Sequence, residues 1–223
     1  MKHQLLLQKR DVNKRIKSEI LPLLIEKGFK IIKRKMPKFV SINLYRENGD
    51  YLHYLGIQTS KYGGGLRFEV GIHPKYVKLE WTFPEIMNLK NDELTVYDCE
   101  VFLRRSFPAE FLDYSKYSEN EIGKFINVLK NEIKNVFEWF EKYSSVNGIK
   151  KLTDKELKVW KGSVRADFYL AVCYIKEKKL VEAENVIGFI ETLLKNWSKK
   201  APPVDSLKKY PEILRRSCNL LNQ

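Results

Sequence analysis

The segment from Phe39 to Phe83 constrains the fold most, because apolar and polar residues alternate along several short runs. The clearest run is 66–73, in which Leu66, Phe68, Val70 and Ile72 alternate with Arg67, Glu69, Gly71 and His73. This two-residue period is typical of a strand in a sheet with one buried face and one solvated face. Glycine-containing turns at 47–50 and 63–65 separate the first three runs. We therefore predict consecutive strands over 39–45, 51–60, 66–73 and 77–83.

An amphipathic helix is predicted before the sheet, from Lys9 or Asp11 to about Lys27. Gly28 follows it at the position of a left-handed cap. Pro22 lies inside this pattern and predicts a kink in the helix. The residues from Phe29 to Lys35 are expected to be extended, which would place a basic segment on an edge strand of the sheet.

The remaining chain reads as one more strand and then helices. The strand is predicted over 96–103, closed by Arg104 and Arg105. A capping box at 118–121 starts a long helix, and a second at 153–156 starts a helix after Gly148. Further helices are predicted over 164–176, over 181–197 and through 213–221.

These elements predict an α+β fold with one helix, an antiparallel sheet of about five strands and a helical C-terminal half packed on it. We expect a single domain over 1–223. Within it, residues 1–117 hold the first helix and the sheet, and residues 118–223 hold the helical part.

Positive charge is concentrated at the front of the chain. The formal net charge is +13, and residues 1–75 carry 16 basic against 6 acidic side chains. The densest segment is 30–38. It can be an electrostatic footprint for nucleic acid or for an acidic protein surface, or it can reflect a lysine-rich composition. The candidate binding residues are Lys33, Arg34, Lys35, Lys38, Tyr54, Lys61, Arg67 and His73.

Catalytic motifs are absent from the sequence. His73 shares the predicted polar face with Glu69 and could lie near Glu80, Asp98 or Glu100, a set able in principle to hold a metal or move protons. Ordinary cross-strand polar pairs explain the same residues. The glycines at 63–65 lead into a strand, so they do not form a phosphate loop. We therefore predict no enzyme activity, no cofactor and no metal site.

Aromatic residues along the sheet leave nucleic-acid binding open as an alternative function. Stacked aromatics with basic edges are how sheet platforms hold single strands. The same aromatics are also ordinary strand formers with a place in the core. In this alternative, segment 30–38 would contact phosphates and the sheet aromatics would stack on bases.

The three cysteines, Cys99, Cys173 and Cys218, are widely spaced and fit neither a disulfide framework nor a zinc motif. No signal-like segment and no apolar run of ~20 residues is present. The expected compartment is the reducing cytoplasm, with no membrane association.

The segment from about Asp11 to Pro74 resembles a bacterial family catalogued as domain of unknown function forty-three oh four. The features that carry the resemblance are Leu23-Leu24 with Gly28-Phe29, then Gln58-Thr59-Ser60-Lys61, the glycine turn and Phe68-Glu69-Val70-Gly71-Ile72. A weaker likeness covers Phe137-Glu138-Trp139-Phe140. The resemblance implies an α+β domain with an antiparallel sheet and implies no activity or catalytic residue.

The leading functional expectation is a non-catalytic cytosolic interaction protein of the bacterial toxin-neutralising, or immunity, type. It would use the sheet or its basic edge to contact an acidic protein partner. This expectation depends on the charge at the front of the chain and on the absence of catalytic motifs.

Overall fold

The computed structural model describes residues 8–33, 40–60, 64–76, 93, 103–157, 164–197 and 205–221. The chain forms two compact units. Unit 1 comprises Met1–His73 and Leu89–Glu141, and unit 2 comprises Pro74–Asn88 and Lys142–Gln223. The long helix predicted after residue 118 therefore belongs with the sheet as far as Glu141. The expectation of a single domain stays a prediction.

The N-terminal helix of unit 1 is interrupted where proline requires it. Helix α1 spans Lys9–Arg15, a π-helical turn spans Ile16–Ile20, and α2 spans Leu21–Glu26. Pro22 lies in the first turn of α2. Proline has no N–H to donate and its ring crowds the carbonyl four residues back, so the helix widens just before it. The predicted kink takes this form.

Gly28 ends α2 in the predicted left-handed conformation, with φ of 84°. The N–H of Gly28 donates to the carbonyl of Ile25 at 2.9 Å, and the N–H of Phe29 donates to that of Leu24 at 3.1 Å. This pair of bonds is a Schellman motif, and Phe29 and Leu24, the positions of its usual apolar contact, are both buried. The chain leaves the motif directly into the first strand.

Five strands form one antiparallel sheet in the order β1-β2-β3-β4-β5. They span Lys30–Ile31 (β1), Val40–Asn48 (β2), Tyr51–Thr59 (β3), Gly65–Pro74 (β4) and Leu103–Asp113 (β5). A tight turn with Gly49 at φ of 57° joins β2 to β3 and pairs Asn48 with Tyr51. The predicted fold class is confirmed, as is the placement of the start of the basic segment on an edge strand.

The expectation of one wet face on the sheet is wrong. Along β4, Glu69 and His73 are as buried as the apolar residues that alternate with them. Along β3, eight of the nine residues are buried and Gln58 alone is half-buried. Alternation predicts a difference in polarity between the two faces, but it does not show that either face is solvated.

Helix α3, Ile122–Tyr143, packs its aromatic stripe on one face of the sheet. His53 of β3 stacks on Phe140 with ring centroids 4.2 Å apart, and Phe107 of β5 meets Trp139 edge to face. The predicted capping box is present, because the Glu121 carboxylate accepts hydrogen bonds from the backbone N–H and the hydroxyl of Ser118. Together α3 and the sheet form the core of unit 1.

Strand β5 begins at Leu103 and runs to Asp113, while residues 96–102 of the strand predicted over 96–103 lie outside the described residues. The expectation that Arg104 and Arg105 close that strand is wrong. Pro108 hides β5 in the sequence, because proline argues against a central strand. Here the strand is at the sheet edge, and its register with β4 shifts in the stretch that holds Pro108.

Unit 2 contains the later helices. They span Val146–Leu157 (α4), Val164–Lys176 (α5), Leu180–Lys195 (α6), Asp205–Lys208 (α7) and Tyr210–Leu221 (α8). The predicted bounds of α5 are confirmed, and those of α6 differ by one or two residues. The second capping box is wrong, because Thr153–Glu156 lies inside α4 and Gly148 does not end the preceding region. The predicted strand over 77–83 lies outside the described residues.

Candidate functional site

The open edge of the sheet at β1 is the most distinctive surface of unit 1. Lys30 pairs with Tyr45 and Ile31 pairs with Leu44, while the N–H of Ile32 donates to the carbonyl of Asn43 at 2.9 Å. In an antiparallel ladder hydrogen-bonded and non-bonded pairs alternate, so the backbone N–H and C=O of Ile31 point away from β2. No hydrogen bond within the described part of the chain reaches either group.

Exposed lysines precede and follow Ile31 in the sequence. Lys27, Lys30 and Lys33 are all exposed, and Glu26 is the one acidic residue between Leu21 and Lys33. Successive residues of an extended strand point to opposite faces, so Lys30 and Lys33 place positive charge on both sides of the strand. The side chain of Ile31 is 49% exposed and adds an apolar contact. We call Lys27, Lys30, Ile31 and Lys33 the basic edge.

Arg46 links the backbone of the basic edge to the sheet and to α3. Its Nη1 donates to the carbonyl of Lys27 at 3.0 Å, and its Nε donates to Nδ1 of His53 at 3.1 Å. Its guanidinium carbon lies 4.9 Å from the ring centroids of both Phe29 and Phe137. One side chain thereby ties the end of α2 to β2, β3 and α3, and the backbone that leads into β1 is fixed.

The electrostatics of this cluster favour a neutral histidine. Burial and the neighbouring Arg46 cation lower the pKa of His53 to about 3. Burial also lowers the pKa of Arg46, while the negative charge of Glu141 acts in the opposite direction and raises it. A neutral imidazole that accepts at Nδ1 carries its proton on Nε2. His53 is therefore a structural acceptor for Arg46 and is held away from acid–base chemistry near neutral pH.

The predicted binding residues do not form one surface. Lys33 is exposed and belongs to the basic edge, whereas Tyr54 has none of its surface exposed and cannot meet a partner in this conformation. Arg34, Lys35, Lys38 and Lys61 lie outside the described residues.

Arg67 and His73 lie on the sheet face opposite α3, where polar groups are paired inside the protein. Arg67 Nη2 lies 2.7 Å from Oε1 of the fully buried Glu69, and its Nε donates to Oε1 of Gln58 at 3.1 Å. The hydroxyl of Ser106 donates to the same Glu69 oxygen at 2.9 Å. Arg67 therefore neutralises a buried carboxylate and is not displayed for a ligand.

The described residues do not assemble the set that could in principle hold a metal or move protons. Glu69 and His73 are four positions apart on β4, which corresponds to about 13 Å along a strand. Glu80, Asp98 and Glu100 lie outside the described residues. Within the ranges that the structure describes, no group of three or more His, Cys, Asp or Glu side chains could hold a metal ion.

The cysteines of unit 2 are placed as small apolar residues. Cys173 is buried and burial raises its pKa to about 12, while its Sγ lies 3.8 Å from the Tyr76 hydroxyl. Burial also raises the pKa of Cys218. Only the thiolate is strongly nucleophilic, so neither thiol is prepared for covalent chemistry.

Two features of the basic edge were missed in the sequence. The role of Arg46 could have been found, because the Gly49 turn fixes the register that pairs Arg46 with His53. The outward direction of the Ile31 backbone could not, because it depends on which residue of β2 lies opposite each residue of β1.

No protein-family model matches this chain, and comparisons with curated proteins and with solved structures returned no match. Membership of the family that segment 11–74 resembles stays a prediction. In the described parts of the chain, no helix is both long enough and apolar enough to cross a membrane.

Proposed function

We propose that this chain is a non-catalytic interaction protein that binds an acidic protein surface through the basic edge. The observation that carries the proposal is the open backbone of Ile31 between the exposed Lys30 and Lys33. Complementary charge steers a partner to such a surface and selects against basic partners. The basic edge supplies that charge on a segment fixed by Arg46.

A protein of this kind acts by stoichiometric binding, so it needs no catalytic group. The burial of His53 and of Cys173 is consistent with that role. We extend the proposal to a cytoplasmic protein of the toxin-neutralising type, whose partner would be an acidic toxin surface. An acidic partner is the part of this proposal that the basic edge supports directly.

Nucleic-acid binding is less well supported, because the aromatic residues that the structure describes in β2, β3 and β4 are not available for stacking. Tyr45, Tyr51, Tyr54 and Phe68 are all buried. Base stacking contributes much of the affinity of sheet platforms for single strands. Phosphate contact by lysines alone would leave binding without that contribution.

Photo-crosslinking in the host cell tests the proposal. A benzoylphenylalanine at exposed position 25, beside the basic edge, is compared with one at exposed position 131 on α3. The first should give a discrete protein adduct that disappears in the Lys27→Glu/Lys30→Glu/Lys33→Glu variant. An adduct that persists in this variant contradicts the proposal, and an adduct with RNA or DNA instead favours the nucleic-acid alternative.

The matched control is Lys14→Glu/Lys17→Glu/Lys134→Glu, which makes the same change of net charge at exposed lysines of unit 1. This control should retain the adduct from position 25. Loss of the adduct in both triple variants would show that net charge alone matters, which also contradicts a specific basic edge.

A further inference from the structure

The ladder geometry of β1 points to a specific mode of binding, which rests on the proposed function. We infer that the partner adds an extended acidic segment to the sheet as a sixth strand along β1. The acceptor site is the backbone of Ile31, whose N–H and C=O both face outward. An exposed edge of this kind is a template for a further strand unless the protein blocks it.

Strand β1 is two residues long, so its described part offers a partner one outward pair of backbone groups, those of Ile31. It has no proline or bulge, and Ile31 as a whole residue is 49% exposed. Its lysines discourage pairing with a second copy of the same chain, since like charges directly opposite each other are destabilising. The same lysines favour an acidic strand, so the occupant is a different protein.

The register of an added antiparallel strand specifies the chemistry of the segment. The residue opposite Ile31 exchanges two hydrogen bonds with it and should be apolar and β-branched. The residues opposite Lys30 and Lys33 should be acidic, because opposite charges across strands attract. The residue opposite the buried Ile32 should again be apolar. The predicted pattern is acidic, apolar, apolar, acidic.

A proline at position 31 separates strand addition from simple charge attraction. The N–H of Ile31 is not used within the described part of the chain, whereas Ile32 keeps its bond to Asn43. Ile31→Pro therefore removes one donor toward the partner and leaves the internal ladder bonds in place, as edge strands tolerate. Ile31→Val is the matched control, because it keeps the N–H and the β-branched side chain.

The probe is the capped peptide Thr-Glu-Val-Val-Glu-Thr, titrated against the full chain and followed by fluorescence anisotropy. Ile31→Pro should lower its affinity about tenfold, while Ile31→Val should stay within about twofold. Hydrogen exchange of the Ile31 amide in the native protein should slow on peptide binding, which supplies a measurement that needs no variant.

Three outcomes separate this inference from the proposed function. Weaker binding by Ile31→Pro together with slower exchange at Ile31 supports strand addition. A second outcome is that Ile31→Pro binds with native affinity and exchange at Ile31 is unchanged, while Lys30→Glu/Lys33→Glu loses binding. This outcome overturns strand addition but is compatible with the proposed function. Binding of the peptide that neither proline nor charge reversal changes, or no binding at all, overturns both.

Discussion

Arg46 donates its Nε–H to Nδ1 of His53 over 3.1 Å, and the pair joins β2 to β3 beneath the basic edge. The imidazole stacks almost parallel on Phe140, while the guanidinium lies against the rings of Phe29 and Phe137. A half-buried cation thus lies beside a buried neutral histidine, with the charge compensated by ring faces, a carbonyl and a ring nitrogen. This arrangement makes the end of α2 and the start of β1 dependent on one side chain.

Replacing Arg46 should destabilise unit 1. Arg46→Met removes its hydrogen bonds to Nδ1 of His53 and to the carbonyl of Lys27, together with the contacts of the cation with the rings, so we expect a loss of about 2–3 kcal/mol. Arg46→Lys should also be destabilising, because an ammonium cannot reproduce the planar fork. Urea unfolding measures both variants.

The control for this prediction is Arg105→Met. Arg105 is exposed and lies 5.1 Å from one ring, that of Phe107. Its replacement should change stability by no more than about 0.5 kcal/mol. Equal losses at positions 46 and 105 would mean that the Arg46 cluster has no special role.

Protonation of His53 should make the fold less stable in acid. Its pKa is about 3 in the folded protein, against an ordinary value of 6.5, so the fold favours the neutral ring. The stabilising contribution is complete above pH 6.5 and is lost as the pH falls from 6.5 toward 3. In that window the free energy of unfolding should fall by up to about 1.4 kcal/mol per pH unit from this residue.

Urea unfolding between pH 7 and pH 4 checks this dependence, with His53→Gln as the comparison. Glutamine keeps an acceptor for Arg46 but does not titrate, so its slope with pH should be shallower than that of the native protein. The titration of carboxylates contributes equally to the pH slopes of both proteins, so it cancels when the two slopes are compared. Identical slopes would exclude His53 as the titrating group.

Glu69 and Arg67 should show strong energetic coupling. Glu69 has none of its surface exposed, and Arg67 Nη2 lies 2.7 Å from its Oε1. Arg67→Met removes the cation that lies against this buried carboxylate and should cost about 3–5 kcal/mol. The double variant Arg67→Met/Glu69→Leu should be closer to the native stability than Arg67→Met, which calorimetry can measure. If the double variant lost as much stability as Arg67→Met and Glu69→Leu lose in sum, the coupling would be disproved.

Asp167 should have a pH dependence of the opposite sign. It is buried in the first turn of α5, and within the structure that is described its Oδ2 has no hydrogen-bond partner. Burial raises its pKa to about 6, so the fold favours the neutral acid. The stabilising contribution is complete below pH 4 and is lost as the pH rises from 4 to 6.

Asp167→Asn removes the buried charge and should raise the stability at pH 7 by about 1–2 kcal/mol. Glu182→Gln, in the first turn of α6 and exposed, is the matched control for the loss of a charge near a helix N-terminus. It should be neutral or slightly destabilising. A loss of stability in Asp167→Asn at pH 7 would contradict the conclusion that the buried, charged carboxylate of Asp167 destabilises the fold at that pH.

The main elements of unit 1 could be predicted from local patterns. Gly28, Gly49 and the Ser118 capping box all mark ends or turns that the structure contains, since each acts through bonds within a few residues. The strand through Pro108 was missed because tolerance of proline depends on the strand being at an edge with a shifted register. That position is a property of the sheet and not of the segment.

The candidate site was only partly predictable for the same reason. The exposed Lys33 followed from charge and from the expectation of an edge strand. Tyr54 was expected at a surface as one of the sheet aromatics and His73 as part of the polar strand face, yet both are buried. Burial of a polar sheet face depends on packing by other parts of the protein, which alternation within one strand does not encode.

The most direct measurement is a titration of the Thr-Glu-Val-Val-Glu-Thr peptide against the native chain and the two triple charge-reversal variants at low ionic strength. Lys27→Glu/Lys30→Glu/Lys33→Glu should bind at least about tenfold more weakly than the native chain, because attraction becomes repulsion at the contact. Lys14→Glu/Lys17→Glu/Lys134→Glu should bind nearly as well as the native chain. Equal affinities for all three proteins, or equal losses in both variants, would contradict binding through the basic edge.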